Sequence, residues 1–194
     1  MATAFEGRFT PQEYLARERA SRDSKCEYVN GRIYAMGGAS LSHSQIASNV
    51  VGELTSQMRG GPCRTVFNDM RVKVPRTEMY TYPDVVVFCG EPMLEDDHFD
   101  TLLNPTVIIE VLSPSTERYD RGDKWAHFRQ LETLQTYVLV SQDEMRVETF
   151  TRRGDEWIYS EASGAEGVLD LPAVGCSVPL NAIYEHVLTG GAPG

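Results

Sequence analysis

Hydrophobic and polar positions alternate along the chain in blocks that predict its elements. Thr10 to about Arg22 is a mostly polar segment with marked ends. Thr10 as N-cap, Pro11 at the first helical position and Glu13 completing a capping box predict a short helix that stops before Lys25. From Cys26 to Met36 two strand-like runs flank Asn30-Gly31, a pair that favours a tight hairpin turn. Ile46, Ala47, Val50, Val51, Leu54 and Met58 recur at helical spacing, so Leu41 to Arg59 is predicted as a helix with one core face, stopped by Gly60-Gly61. Arg64 to Val74 reads as one bent strand or a hairpin, with apolar residues at Val66, Met70, Val72 and Val74.

The most apolar blocks are Asp84 to Cys89 (DVVVFC) and Thr106 to Leu112 (TVIIEVL). Both are short, rich in β-branched residues and apolar at consecutive positions, as in strands covered on both faces, and are expected at the sheet centre. Between them GEPMLEDDHFDTLLN reads as an acidic, mobile connection longer than a hairpin loop. After Ser113-Pro114-Ser115-Thr116, the spacing of Trp125, Phe128, Leu131 and Leu134 predicts a second long helix, Tyr119 to Leu134, with Gly122 a weak point near its start. Thr136 to Ser141 is a further buried strand. Arg146 to Thr151 and Glu156 to Ser160, joined through Arg153-Gly154-Asp155, are expected to pair antiparallel, and the tail from Gly190 is expected to be loose. Together these predict a mixed α/β (α+β) fold in which a central mixed sheet is flanked by helices, with an N-terminal hairpin and C-terminal antiparallel strands.

Composition narrows this picture. At 194 residues, 41% apolar and 24% charged, the chain is expected to form one domain over 1–194, with a core at about 26–141 and C-terminal strands at about 145–188. No apolar run reaches the roughly 20 residues of a membrane span, and the N-terminus lacks a secretory pattern, so a cytoplasmic protein is expected. Cys26, Cys63, Cys89 and Cys176 form no CxxC pair, which argues against zinc and against a disulfide framework and predicts four buried or half-buried thiols. The net charge of -10 argues against a broad duplex-binding surface, since that rests on Lys and Arg neutralising phosphates. Phosphate-cradling GxxxxGK[ST], GxGxxG after a strand, GxSxG and HExxH are all absent.

Candidate chemistry lies in the central strands. If the two strands run antiparallel, the start of one meets the end of the other. Period-two alternation puts Asp84 with Val86 and Phe88, and Glu110 with Ile108 and Leu112, so the two acids can share a side. Ionised carboxylates among Val, Ile and Leu cost about several kcal/mol unless paired. A hard divalent cation such as Mg²⁺ or Mn²⁺, with the Val111 carbonyl as a further ligand, would resolve this. The alternatives are that Asp84 only caps its strand after Pro83 and that Glu110 pairs with an Arg. Lys124, four residues after Asp120, is either half of an exposed ion pair or an ammonium returned over the Glu110 strand to contact phosphate. Asp120 reads first as the helix N-cap and second as an accessory acid. Arg118, Arg121 and Arg129 either contact phosphate or solvate the helix. His43, on the core-facing side of its helix start, is either an accessory to the site or a structural histidine. Glu27 reads as a surface acid with an accessory role as the alternative, and His98 as solvated surface.

Tyr82-Pro83-Asp84, then Glu110-Val-Leu-Ser-Pro-Ser-Thr, then Asp120-x-x-x-Lys124, resemble in order and spacing the PD-(D/E)XK nuclease superfamily, and within it the Uma-two family of restriction-endonuclease-like bacterial proteins. The resemblance runs from the Glu27 hairpin through the Thr136 strand. It implies a restriction-endonuclease-like core of helix, three strands, helix and strand, with Asp84 and Glu110 binding a divalent metal. It also implies an endonuclease that hydrolyses phosphodiester bonds of nucleic acid, DNA in preference, by in-line attack of metal-activated water. The superfamily lysine slot, two residues after the acid, holds Leu112, so the resemblance passes that role to Lys124. Two rival readings are a nucleic-acid-binding or regulatory protein that keeps the fold without turnover, and a phosphoesterase acting on something smaller. A homodimer is expected from the need to assemble basic surface on an acidic chain.

Overall fold

A computed structural model describes residues 5–21 and 24–187. In chain order these form α1 (Pro11–Ala20), β1 (Cys26–Val29), β2 (Arg32–Ala35), α2 (Leu41–Gln57), β3 (Cys63–Phe67), β4 (Arg71–Val74), β5 (Met79–Thr81), β6 (Val85–Cys89), β7 (Thr101–Leu102) and β8 (Val107–Val111). A helix over 117–128 follows, called α3, with Asp120–Lys124 wound as a π-helical turn. Then come β9 (Thr136–Val140), β10 (Arg146–Arg153), β11 (Glu156–Ser163), β12 (Val168–Leu171), β13 (Cys176–Pro179) and a closing turn, α4 (Leu180–Ile183). The helix end expected at Arg22 and the tail from Gly190 lie outside the described residues.

The apolar strands form the middle of a mixed six-stranded sheet, in the order β11-β10-β9-β8-β6-β3. β8 and β9 run parallel and the other pairs antiparallel. Consecutive apolar residues are required because both faces are covered. Val85, Val87, Val107 and Ile109 pack with Ile46, Val50 and Leu54 of α2 and with Leu169, Val178 and Leu180 of the C-terminal segment. Val86, Phe88 and Ile108 pack on the other side with Phe128 of α3, Leu131, Leu134 and Tyr137. Each such side chain stabilises the fold by about 1.5–3 kcal/mol.

A second sheet, β2-β1-β5-β4-β7, abuts the first. Its hairpin turn is the predicted Asn30-Gly31, both at positive φ (48° and 87°). Arg64 to Val74 proves to be neither a bent strand nor a hairpin. Asn68, at φ 56°, turns the chain so that β3 pairs with β6 in the central sheet while β4 pairs with β5 in the small one. The chain returns through Tyr82-Pro83-Asp84, three residues that carry it from one sheet into the other.

Two expectations are overturned. The acidic connection is tied down rather than mobile, because β7 within it pairs with β4 and its carboxylates hold cations: Asp96 and Asp100 bind Arg19, Asp100 binds Arg71, and Glu95 binds Lys73. Cys63 and Cys89 are not thiols but a disulfide. They face each other in the β3–β6 register with Cα atoms 3.9 Å apart, a pairing set by strand register and therefore invisible in sequence spacing. Cys26 and Cys176 are buried thiols as expected. Predicted helix 119–134 ends instead at 128, where Arg152 collects the carbonyls of Leu131 (2.7 Å), Leu134 (2.8 Å) and Arg129 (3.3 Å).

Buried Arg71 joins α1, the small sheet and the acidic segment. It donates to Thr101 Oγ1 and Tyr82 Oη (both 2.9 Å) and pairs with Asp100, while Tyr82 donates to Glu18 (2.9 Å). Arg71→Ala would leave these partners unsatisfied, so a loss of about 3 kcal/mol in urea unfolding is expected. A change below about 0.5 kcal/mol, the range of ordinary surface substitutions, would show that this residue does not anchor the second sheet.

Candidate active site

The site grows from strand register. β6 and β8 pair with Val85 opposite Ile109, which places Asp84 opposite Glu110. Asp84 Oδ2 accepts from the Val111 N–H at 2.7 Å, and the Asp84 N–H donates to Glu110 Oε2 at 3.4 Å, so both carboxylates are fixed at one edge of the central sheet. The antiparallel arrangement assumed from the sequence is the one observed.

Three other elements converge there. From α3, Lys124 is 5% exposed, with its ammonium 2.9 Å from Glu110 Oε1, 3.3 Å from Glu27 Oε1 and 3.6 Å from Asp120 Oδ1. From β1, Glu27 also accepts a hydrogen bond from Thr81 of β5. From the first turn of α2, His43 Nε2 lies 3.1 Å from Asp84 Oδ2. The structure thus brings together Asp84, Glu110, Lys124, His43, Glu27 and Asp120.

Several simpler readings are overturned. Glu27 is buried because β1 pairs with β5 and turns it toward α3. Lys124 is no exposed ion pair, and Glu110 pairs with this lysine rather than with an arginine. Asp120 lies inside the helix, which begins at Glu117, so it caps nothing. Leu112, in the superfamily lysine slot, fills the core beneath α3. Arg121 is engaged with Glu117 and Glu148 and does not face the site, whereas Arg118 and Arg129 are exposed. His98 is exposed as expected.

The sequence reading missed Thr81 and Tyr137. The Tyr137 hydroxyl donates to the Asp120 carbonyl at 3.0 Å, holding the π-helical turn against β9. A polar atom inside the buried strand Thr136–Val140 was the available signal.

Electrostatically the cluster holds more acid than base: Asp84, Glu110, Glu27 and Asp120 surround Lys124 and His43. Burial drives the Glu110 carboxyl well above its usual range, and Asp84 and Asp120 add to this against the opposing pull of Lys124. Burial also raises Asp120. Burial alone would lower Lys124, but Glu110, Glu27 and Asp120 together outweigh it, so the ammonium stays charged. His43 is likewise raised, the bond and charge of Asp84 exceeding the effect of burial. Surplus negative charge on hard oxygens is the donor chemistry that suits a divalent cation, and Asp84, Glu110 and the Val111 carbonyl could supply those oxygens. Among the described residues no group of three or more His, Cys, Asp and Glu side chains forms a preassembled metal cage. The fit therefore rests on the two opposed carboxylates and the main-chain oxygen.

The Uma2 family, described as "Putative restriction endonuclease", matches residues 11–181. The chain is 35% identical over 179 residues to the uncharacterized protein slr1290 of Synechocystis sp., covering 92% of each chain. It is 33% identical over 162 residues to the uncharacterized protein sll1609 of the same organism, covering 83% of this chain and 91% of that one. A solved structure titled as "a putative nuclease belonging to DUF820" from Anabaena variabilis superposes with a TM-score of 0.76 at 19% identity, over 93% of this chain and 99% of that one, and shares the fold.

Two outcomes follow from the charge balance. A histidine whose folded-state pKa is raised stabilises the protein fully below its ordinary value of 6.5, and that contribution fades as pH rises through the higher folded-state value. Thermal scans from mildly acidic to mildly basic pH should therefore show a stability loss above 6.5 in the wild type that is absent in His43→Gln; parallel curves would refute the His43–Asp84 coupling. Because burial raises Asp120, its charged form opposes folding at neutral pH. Asp120→Asn should therefore raise Tm, whereas a lowered Tm would make Asp120 a net stabilising counter-ion of Lys124.

Proposed function

Because the chain belongs to the Uma2 family, we propose that it is a divalent-metal-dependent endonuclease that hydrolyses phosphodiester bonds of nucleic acid at the Asp84–Glu110–Lys124 site. The observation that carries this is the buried Lys124 ammonium 2.9 Å from Glu110, on a carboxylate directly opposed to Asp84. It supplies from α3 the charge that the residue at position 112 cannot.

Asp84, Glu110 and the Val111 carbonyl would hold Mg²⁺ or Mn²⁺, which when bound neutralises phosphate charge and acidifies an attacking water. The protein's own groups divide the remaining work. Lys124 fixes the orientation of Glu110 and supplies positive charge near where the five-coordinate phosphorus would gather negative charge. Glu27 and Asp120 keep that ammonium protonated and centred. His43 orients Asp84 through its 3.1 Å contact.

With plasmid and single-stranded substrates in Mg²⁺ or Mn²⁺, Lys124→Ala and Glu110→Ala are expected to lower cleavage by about 10²-fold or more, and EDTA to abolish it. Full activity in both variants would remove the site assignment, and tight binding without cleavage by the wild type would replace it with a regulatory role. Added Mg²⁺ or Mn²⁺ should raise the Tm of the wild type and not of Asp84→Ala. Equal shifts in both proteins would place metal binding elsewhere.

A further inference from the structure

Beside Asp84 in the central sheet Phe67 presents its ring to solvent, and Leu41 at the start of α2 and Met36 just after β2 are exposed as well. Phe67 is 51% exposed, Leu41 70% and Met36 37%. Isolated exposed apolar residues are ordinary, but these three are connected through the backbone to one site. Phe67 lies opposite Val85, the neighbour of Asp84, and the next N–H along, that of Asn68, donates to the Asp84 carbonyl at 3.4 Å. Directly opposed residues of an antiparallel pair share a face. Val85 packs toward α2, so Phe67 lies on the side from which His43 reaches Asp84. Leu41 opens α2, two residues before His43. Met36 donates its N–H to the Lys25 carbonyl (3.0 Å), and the Lys25 ammonium reaches the Asn68 carbonyl (3.1 Å), which ties the open end of the first hairpin to the turn after Phe67.

Lys25 is already paired with Asp69, and the chain as a whole carries -10. Duplex binding depends on Lys and Arg displacing counterions from phosphates. Stacking of bases on aromatic side chains is worth about 1–3 kcal/mol per base without any net charge, but it needs bases that are not already stacked inside a duplex.

We propose that Phe67 is a base-stacking residue at the rim of the site, and that the site therefore takes single-stranded or locally unpaired nucleic acid. This deepens the phosphodiesterase reading and rests on it.

Binding can be measured separately from turnover. Anisotropy of a short fluorescent oligonucleotide in EDTA, single-stranded and as a duplex of the same sequence, should show tighter binding of the single strand with a shallow salt dependence. Phe67→Ala should weaken single-strand binding about tenfold, within the range of one lost stacked base, and Phe67→Trp should restore it. Phe67 is half exposed, so both variants are expected to keep the wild-type Tm. Equal binding of duplex and single strand, or unchanged affinity in Phe67→Ala, would overturn the rim. Single-strand preference and Phe67 dependence without cleavage in Mg²⁺ or Mn²⁺ would support the rim while removing the nuclease reading.

Discussion

A buried ammonium can persist only if its surroundings return the solvation it has lost, and Lys124 meets that constraint with three carboxylates from three elements. Glu110 comes from the central sheet, Glu27 from the small sheet and Asp120 from the preceding turn of its own helix. Removing Glu110, the nearest of the three at 2.9 Å, costs about 3–5 kcal/mol. The relative placement of both sheets and α3 is therefore specified by one charge. The π-helical turn Asp120–Lys124 is part of that placement, since it is pinned by the Tyr137 hydroxyl and brings both residues inward together.

The arrangement is expensive, and the central sheet offsets it. Fully buried Val85, Val86, Val87, Ile108 and Ile109 hold the two acid-bearing strands in register from both faces, so Asp84 and Glu110 cannot drift apart to relieve their repulsion. Stability is concentrated beneath the site, and the electrostatic penalty is concentrated at it. That is the division expected if the site receives a cation as proposed.

Much of this was legible in the sequence because it depends on local rules. Alternation and β-branched composition gave the central strands, and opposing their ends gave the Asp84–Glu110 pair. Asn30-Gly31 and the Thr10–Glu13 capping box gave their turn and helix start. What was not legible depends on pairings between distant segments. Glu27 is a site residue only because β1 pairs with β5, a three-residue strand too short to show a period. The acidic run at 90–104 looks solvated until Arg19 and Arg71 are seen across it. Cys63 and Cys89 become partners only once β3 leaves β4 for β6. Lys124 was found through its helix position, but its burial required knowing how far α3 leans onto β8.

The Cys63–Cys89 link has a topological effect beyond its two strands. It closes a covalent ring spanning 26 residues of sequence, and within that ring lie β4, β5 and the Tyr82-Pro83-Asp84 crossing. The half of the small sheet that leads into Asp84 is thus a loop whose two ends are fastened to neighbouring strands of the rigid layer. Breathing of the small sheet is restrained to what a short closed chain permits. The aspartate at the crossing therefore inherits the order of the central layer even when the elements before it fluctuate.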